Sequence, residues 1–199
     1  MSAHLYIEGA ESKEDQVRCR EGFRNLIGKL GFATYKRMPR LSACGGRNSA
    51  FDDFKTAHGQ SKQGDYIAML VDSEDPVADV DKTWEHLKTR DNWDKPAGAA
   101  DEQVLLMTTC METWIVADRA ALKEHYGHTL QENALPPLND LESRNRHDVH
   151  DKLAHATRNC SNAYAKGKRS FEVIGVLNPT ALSSLSAFSR MTKVLNNKL

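Results

Sequence analysis

The sequence predicts an α/β fold in which a mainly parallel sheet is flanked by helices and followed by a helical C-terminal addition. Three observations carry this expectation. Short apolar runs alternate with segments of helical spacing through residues 1–127. The most apolar run, Tyr66-Ile67-Ala68-Met69-Leu70-Val71, is continuous rather than alternating, as in a parallel strand covered on both faces. Beyond residue 127 the pattern is helical, with no further strand-like run.

The elements follow in order. His4 to Ile7 reads as a short strand ending at Glu8-Gly9. From Ser12 to Leu30, the residues Val17, Phe23, Leu26, Ile27 and Leu30 share one helical face, with Ser12 as the N-cap and Gly31 as the stop. Arg40 to Cys44 forms a second strand that runs into Gly45-Gly46, followed by a helix over 49–57. The third strand, Asp65 to Val71, is halted by Asp72-Ser73-Glu74-Asp75-Pro76. A helix over 80–88 precedes a polar loop, 89–103, that carries Pro96 and Gly98. Val104 to Thr109 is the fourth strand; Glu112 opens a helical turn to Asp118, and Arg119 to Tyr126 continues as helix to Gly127. After a loop through Leu135-Pro136-Pro137-Leu138, residues 148–164, 170–177 and 180–195 read as helices. The expected organisation is an α/β core over 1–127 with a helical extension, 128–199, packed on the same domain.

At 199 residues, 40% hydrophobic and 27% charged, with 12 Gly and 6 Pro, the chain has the composition of a soluble globular protein, which excludes collagen, a disordered tail and a membrane span. Cys19, Cys44, Cys110 and Cys160 contain no CxxC pair, against a disulfide framework or a zinc ribbon. The apolar stretch at the N-terminus is too short for a signal-peptide core, so a cytoplasmic protein is expected. Its 27 basic and 27 acidic side chains cancel only in sum. Residues 1–64 hold 11 basic and 7 acidic groups, 65–143 hold 6 and 17, and 144–199 hold 10 and 3. An acidic block between two basic ones suits a protein that holds divalent cations and a polyphosphate backbone together, or is simply three differently solvated surfaces.

In a parallel sheet, functional residues collect beyond the carboxyl ends of the strands. Glu8-Gly9, Gly45-Gly46-Arg47-Asn48 and Asp72-Ser73-Glu74-Asp75 each follow a predicted strand, and the fourth runs into Glu112. Acids converging on one rim repel one another unless a cation sits among them, and an all-oxygen set suits magnesium or manganese. Taken singly, each is as well explained by a cap or a turn, and Glu112 by complementing a helix dipole. Gly45 and Gly46 would let backbone amides approach a phosphate, and Arg47, Lys166, Lys168 and Arg169 supply positive charge for it.

Ile7-Glu8-Gly9 followed by a long helix, then Met69-Leu70-Val71-Asp72-Ser73-Glu74-Asp75, resembles the Toprim domain of topoisomerases, primases and nucleases of the overcoming-lysogenization-defect type. Over nearly its full length the chain more closely resembles a bacterial Toprim-like family, domain of unknown function 4276. That resemblance is carried by Cys44-Gly45-Gly46-Arg47-Asn48, Val71 to Pro76, Trp84-Glu85-His86-Leu87, Cys110-Met111-Glu112-Thr113-Trp114 with Ala117-Asp118, and Tyr164-Ala165-Lys166-Gly167-Lys168 with Ser170-Phe171-Glu172.

The resemblance implies a Toprim/Rossmann-like fold and metal-dependent phosphodiester chemistry, with Glu8 as general acid/base or metal ligand and Asp72 with Glu74 binding one or two Mg2+ or Mn2+ ions. Lys168 is a further catalytic candidate, and Glu11, Asp75 and Glu112 are further metal candidates, Glu11 ranking above Glu14. Where Toprim domains have Asp-x-Asp, this chain has Asp72-Ser73-Glu74-Asp75, so either Glu74 or Asp75 is the ligand. The phosphate contacts implied are Gly45, Gly46, Arg47, Asn48, Lys166, Lys168 and Arg169. The expected activity is that of a nuclease on DNA or RNA, an effector of antiphage or genome defence working with a separate ABC/SMC-like ATPase, since this chain has no P-loop. A homo-oligomer is compatible with it; a membrane partner is not expected.

Two other functions stay open: a non-catalytic module whose acidic rim holds a metal or a partner's basic surface, and a phosphoryl-transfer enzyme acting on small nucleotides. His147, His150 and His155 lack the partners of a zinc site, and Trp84, Trp93 and Trp114 read as core or partner contacts.

Overall fold

The computed structural model describes residues 2–9, 11–34 and 36–199, with every side chain among them except that of Lys168. Four strands, β1 (Ala3–Glu8), β2 (Arg40–Cys44), β3 (Tyr66–Asp72) and β4 (Val104–Met107), form one sheet in the order β2-β1-β3-β4. Every pairing is parallel, with Ile7 opposite both Ala43 and Leu70, and Asp72 opposite Met107. This is a Rossmann-like α/β sheet.

The alternation of side chains explains why β3 is apolar throughout. Tyr66, Ala68 and Leu70 face one core, while Ile67, Met69 and Val71 face the other. β4 divides in the same way, with Leu105 and Met107 on the first side and Val104 and Leu106 on the second. The second core is closed by α2 (Arg47–Gly59) and α3 (Thr83–Asp91) through Phe51, Phe54, Trp84 and Leu87. The first and larger core is closed by α1 (Lys13–Ile27), α4 (Met111–Ala117), α5 (Arg119–Tyr126), α6 (Arg146–Thr157), α7 (Lys168–Val176), α8 (Pro179–Leu182) and α9 (Ser186–Lys198). One apolar cluster thus runs from Leu5 and Phe23 to Phe188 and Leu195, joining residues before 127 to those after it. Trp84, Trp93 and Trp114 are all core residues.

Local signals account for most boundaries. Ser12 caps α1 by accepting from the Asp15 amide at 3.1 Å. The helix ends in a π turn, Gly28–Phe32, where Gly31 takes φ 96°, a conformation open to glycine. α1 and α7 touch at glycines, with a Cβ built on Gly175 reaching 3.4 Å from the Gly22 Cα.

Four predicted elements change their bounds. The helix expected over 80–88 begins at Thr83, because Asp101 Oδ1 accepts from the Trp84 amide at 2.9 Å and from Thr83 Oγ1 at 3.1 Å. It runs through Arg90 and Asp91, two residues expected in the loop, and stops at Asn92 with φ 56°. The helix expected to reach Tyr164 ends at Thr157, whose Oγ1 donates to Leu153 O at 3.0 Å and accepts the Tyr164 amide at 2.9 Å, folding the chain back. The single helix expected over 180–195 is split into α8 and α9, and Ser183 Oγ donates to Thr180 O at 2.8 Å at the break. β4 is shorter than expected, ending at Met107 rather than Thr109.

Candidate functional site

The strand order places the site. From β1 the chain moves outward to β2, then returns past β1 to β3, so the carboxyl ends of β1 and β3 flank the point where the winding reverses. Crevices in open parallel sheets form there because the helices leave toward opposite faces. The last residue of β1 is Glu8 and the last of β3 is Asp72. Their neighbour Glu74 has φ 69°, an uncommon backbone for a residue with a side chain, held by its amide donating to Thr109 O at 2.8 Å. One carboxylate oxygen from each of Glu8, Asp72 and Glu74 lies within 4.8 Å of the others.

Asp72 is 8% exposed, and its carboxylate accepts from the Met111 amide at 2.8 Å; among the described residues it has no ion pair. Burial, then Glu8, then Glu112 raise its pKa well above the aspartate range, against the pull of Lys166 and the Met111 amide. Glu8 accepts the Asp72 amide at 3.1 Å and lies 3.6 Å from Arg47. Burial also raises its pKa; Arg47, the Asp72 amide and Lys166 offset this in part.

Glu8 and Asp72 line a cavity of about 40 Å³ together with Met111, Glu112, Lys166 and Ser170, among others. Glu112, in the first turn of α4, is 2% exposed and accepts from the Tyr164 hydroxyl. Of the other acids singled out in the sequence, Glu11 is exposed and stands outside the three-acid group. Asp75 is 65% exposed and pairs with Arg90 at 3.4 Å; Glu74 is therefore the residue that joins Glu8 and Asp72.

The basic candidates separate as well. Arg47, at the start of α2, is held by Asp91 through Nε at 3.2 Å and Nη2 at 2.6 Å, donates to Asp72 O, and stacks 4.9 Å from the Trp93 ring. It pins β1, β3, α2 and α3 together at the rim. The Asp91 carboxylate resists ionising through burial, but hydrogen bonds and charge from Arg47, then Arg90, outweigh this and hold its pKa below the ordinary range. Gly45 accepts the Gly9 amide at 3.2 Å, Gly46 precedes α2, and Asn48 is exposed. Lys166 is exposed at the cavity, whereas Arg169 turns back to donate to Ala163 O. The role expected of the Lys168 side chain falls outside the described residues.

Sequence reasoning missed Asp91, Arg90, Arg146 and the bond made by Tyr164. Arg90 donates to Glu74 Oε2 at 3.0 Å, and Arg146 pairs with the same oxygen. A signal for Arg146 existed: it opens α6, where a cation opposes the helix dipole and so needs another reason to be there. A larger hollow of about 570 Å³, lined by Lys29, Thr180, Phe188 and Thr192 among others, has no acidic side chain.

No curated protein and no solved structure matches the chain. A family model does, over residues 12–196, a stretch that begins after Glu8 and takes in Asp72, Glu74, Glu112, Tyr164 and Lys166, and the chain accordingly belongs to the family described as Domain of unknown function (DUF4276).

Proposed function

We propose that the protein is a divalent-metal-dependent nuclease that hydrolyses phosphodiester bonds, with DNA as the first substrate to test. The observation that carries this reading is Asp72: a buried carboxylate, grouped with Glu8 and Glu74, that has the Met111 amide as its hydrogen-bond donor and no ion pair among the described residues. A buried carboxylate in that position calls for a proton or a cation. The donors Glu8, Asp72 and Glu74 are all oxygen, the set that magnesium and manganese prefer. The sequence resemblance to Toprim domains supports the same choice.

Divalent ions held by these residues would supply Lewis acidity at the phosphate and a bound water of lowered pKa. The protein's own groups divide the remaining work. The Met111 amide fixes Asp72, and the Arg47 guanidinium orients Glu8 from 3.6 Å. Glu8, set by that pair and by the Asp72 amide at 3.1 Å, would take the proton of the attacking water as general base. Lys166, exposed at the cavity, faces the charge that develops on the phosphate.

Nicking of supercoiled plasmid in Mg2+ or Mn2+ tests the proposal. Glu8→Ala and Asp72→Ala should each lose activity by about 100-fold or more; equal activity in both variants and the wild type refutes a nuclease centred here. One observation favours a non-catalytic module instead, namely that Glu74 is already paired with Arg90 and Arg146. That reading gains if the wild type binds Mn2+ but cleaves neither plasmid nor mononucleotides.

A further inference from the structure

Glu112 and Tyr164 come from distant parts of the chain, and both are nearly buried, at 2% and 8% exposure. The Tyr164 hydroxyl donates to Glu112 Oε1. Glu112 lines the same cavity as Glu8 and Asp72 and is close enough to act electrostatically on Asp72. With Oε1 engaged, Oε2 is the oxygen left to the cavity. Tyr164 is itself fixed twice: its amide donates to Thr157 Oγ1 at 2.9 Å, and its ring packs edge-on against His150 at 5.6 Å. Two residues on, Lys166 reaches the cavity, followed by Gly167 and Ser170. The segment 164–170 therefore straps across the acidic cavity from the helical C-terminal part.

We propose that Tyr164 is a positioning residue that orients Glu112 as a fourth carboxylate toward Asp72, so that the proposed metal site is complete only when the 164–170 strap is docked. The inference rests on the nuclease reading and extends it. Groups that hydrogen-bond a ligand typically change metal affinity or activity by about 10–100-fold when removed, because they set the ligand's orientation. A tyrosine hydroxyl is well matched to this role, because it donates to the carboxylate, whereas a cation there would neutralise it.

The test is Mn2+ binding, followed by electron paramagnetic resonance of the free ion, in full-length wild type, Tyr164→Phe, Glu112→Gln and the double variant. Tyr164→Phe keeps the ring that packs on His150. It should weaken Mn2+ binding by about 10-fold with little change in the metal-free melting temperature. Glu112→Gln should weaken binding at least as much, and the double variant no further than Glu112→Gln alone, since Tyr164 acts only through Glu112. Wild-type affinity in Tyr164→Phe, or its full penalty persisting on the Glu112→Gln background, overturns the proposal and leaves the nuclease reading standing. Should Tyr164→Phe fold poorly, the wild type still decides through the 13Cζ resonance of Tyr164, which must move on adding Mg2+; a resonance that stays fixed while Mg2+ binds overturns the proposal. A wild type that binds no Mn2+ overturns both.

Discussion

Gly22→Ala is expected to destabilise the protein even though alanine is the better helix former. Gly22 lies inside α1, so the substitution gains about 1 kcal/mol of helix propensity. A Cβ at this position, however, would lie 2.4 Å from the carbonyl oxygen of Phe171 and 3.2 Å from its carbonyl carbon. Both are backbone atoms of α7, so no side chain can swing aside. To restore an ordinary contact, α7 must retreat by about 1 Å. Phe171, Val173 and Ile174 of that helix are all buried and would lose contacts together. Overpacking of this kind costs about 1–3 kcal/mol, and the rigidity of the obstacle puts it at the upper end. The net loss is then about 2 kcal/mol, which for a chain of this size lowers Tm by roughly 4–8 °C. Gly59→Ala, near the end of α2 and with nothing within 4 Å of its Cβ, makes the same chemical change without the clash and should leave Tm unchanged or slightly raised. Thermal unfolding of the two variants beside the wild type decides. A Gly22→Ala protein as stable as the wild type refutes the argument from close helix approach.

Three further outcomes are expected. Burial and the neighbouring acids raise the pKa of Asp72, so its stabilising contribution is fully present below the ordinary aspartate value and is lost as pH rises through the raised, folded value. Asp72→Asn should therefore raise the Tm of metal-free protein at about pH 8 but not at about pH 3, where the wild-type carboxyl is protonated; a difference that does not vary with pH refutes this. Arg190, 8% exposed, donates at 2.9 Å to each of Asp81 Oδ1, Val104 O and Asp101 O, tying α9 to β4; Arg190→Met, which keeps the aliphatic stem, should cost about 2–3 kcal/mol in urea unfolding. If Lys166 meets the substrate's phosphate, Lys166→Ala should lower the slope of log affinity against log salt by about 1 for a DNA oligonucleotide held in Ca2+, and an unchanged slope counts against that contact.

Much of the fold was legible because its cause is local. The unbroken apolar run 66–71 follows from a strand covered on both faces, and β2 occupies Arg40–Cys44 as read because Gly45-Gly46 ends it. Ser12 caps the helix it was expected to cap. Boundaries set by distant partners were not legible. The start of α3 is fixed by Asp101, and the fold-back at Thr157 depends on the Tyr164 amide. Among site residues, Glu8, Asp72 and Glu74 announced themselves as acids at strand ends. Arg90 and Asp91 did not, because a polar stretch ending a helix looks the same in sequence whether it faces solvent or a site.

The sequence by itself determined which residues form the strands, which ends carry acids, and that the charges are sorted into basic, acidic and basic blocks. Only the tertiary structure decided which strand ends meet. Placing β3 beside β1 rather than β2 brings Glu8 and Asp72 to the reversal point of the sheet. It also groups Glu74 rather than Asp75 with them, Glu74 having a left-handed backbone held by Thr109, and it brings Tyr164 to Glu112 from 52 residues away in the chain. The physical reason is that strand pairing and helix docking are set by burying both faces of β3 and β4 at once, a condition on the whole chain that no short segment encodes.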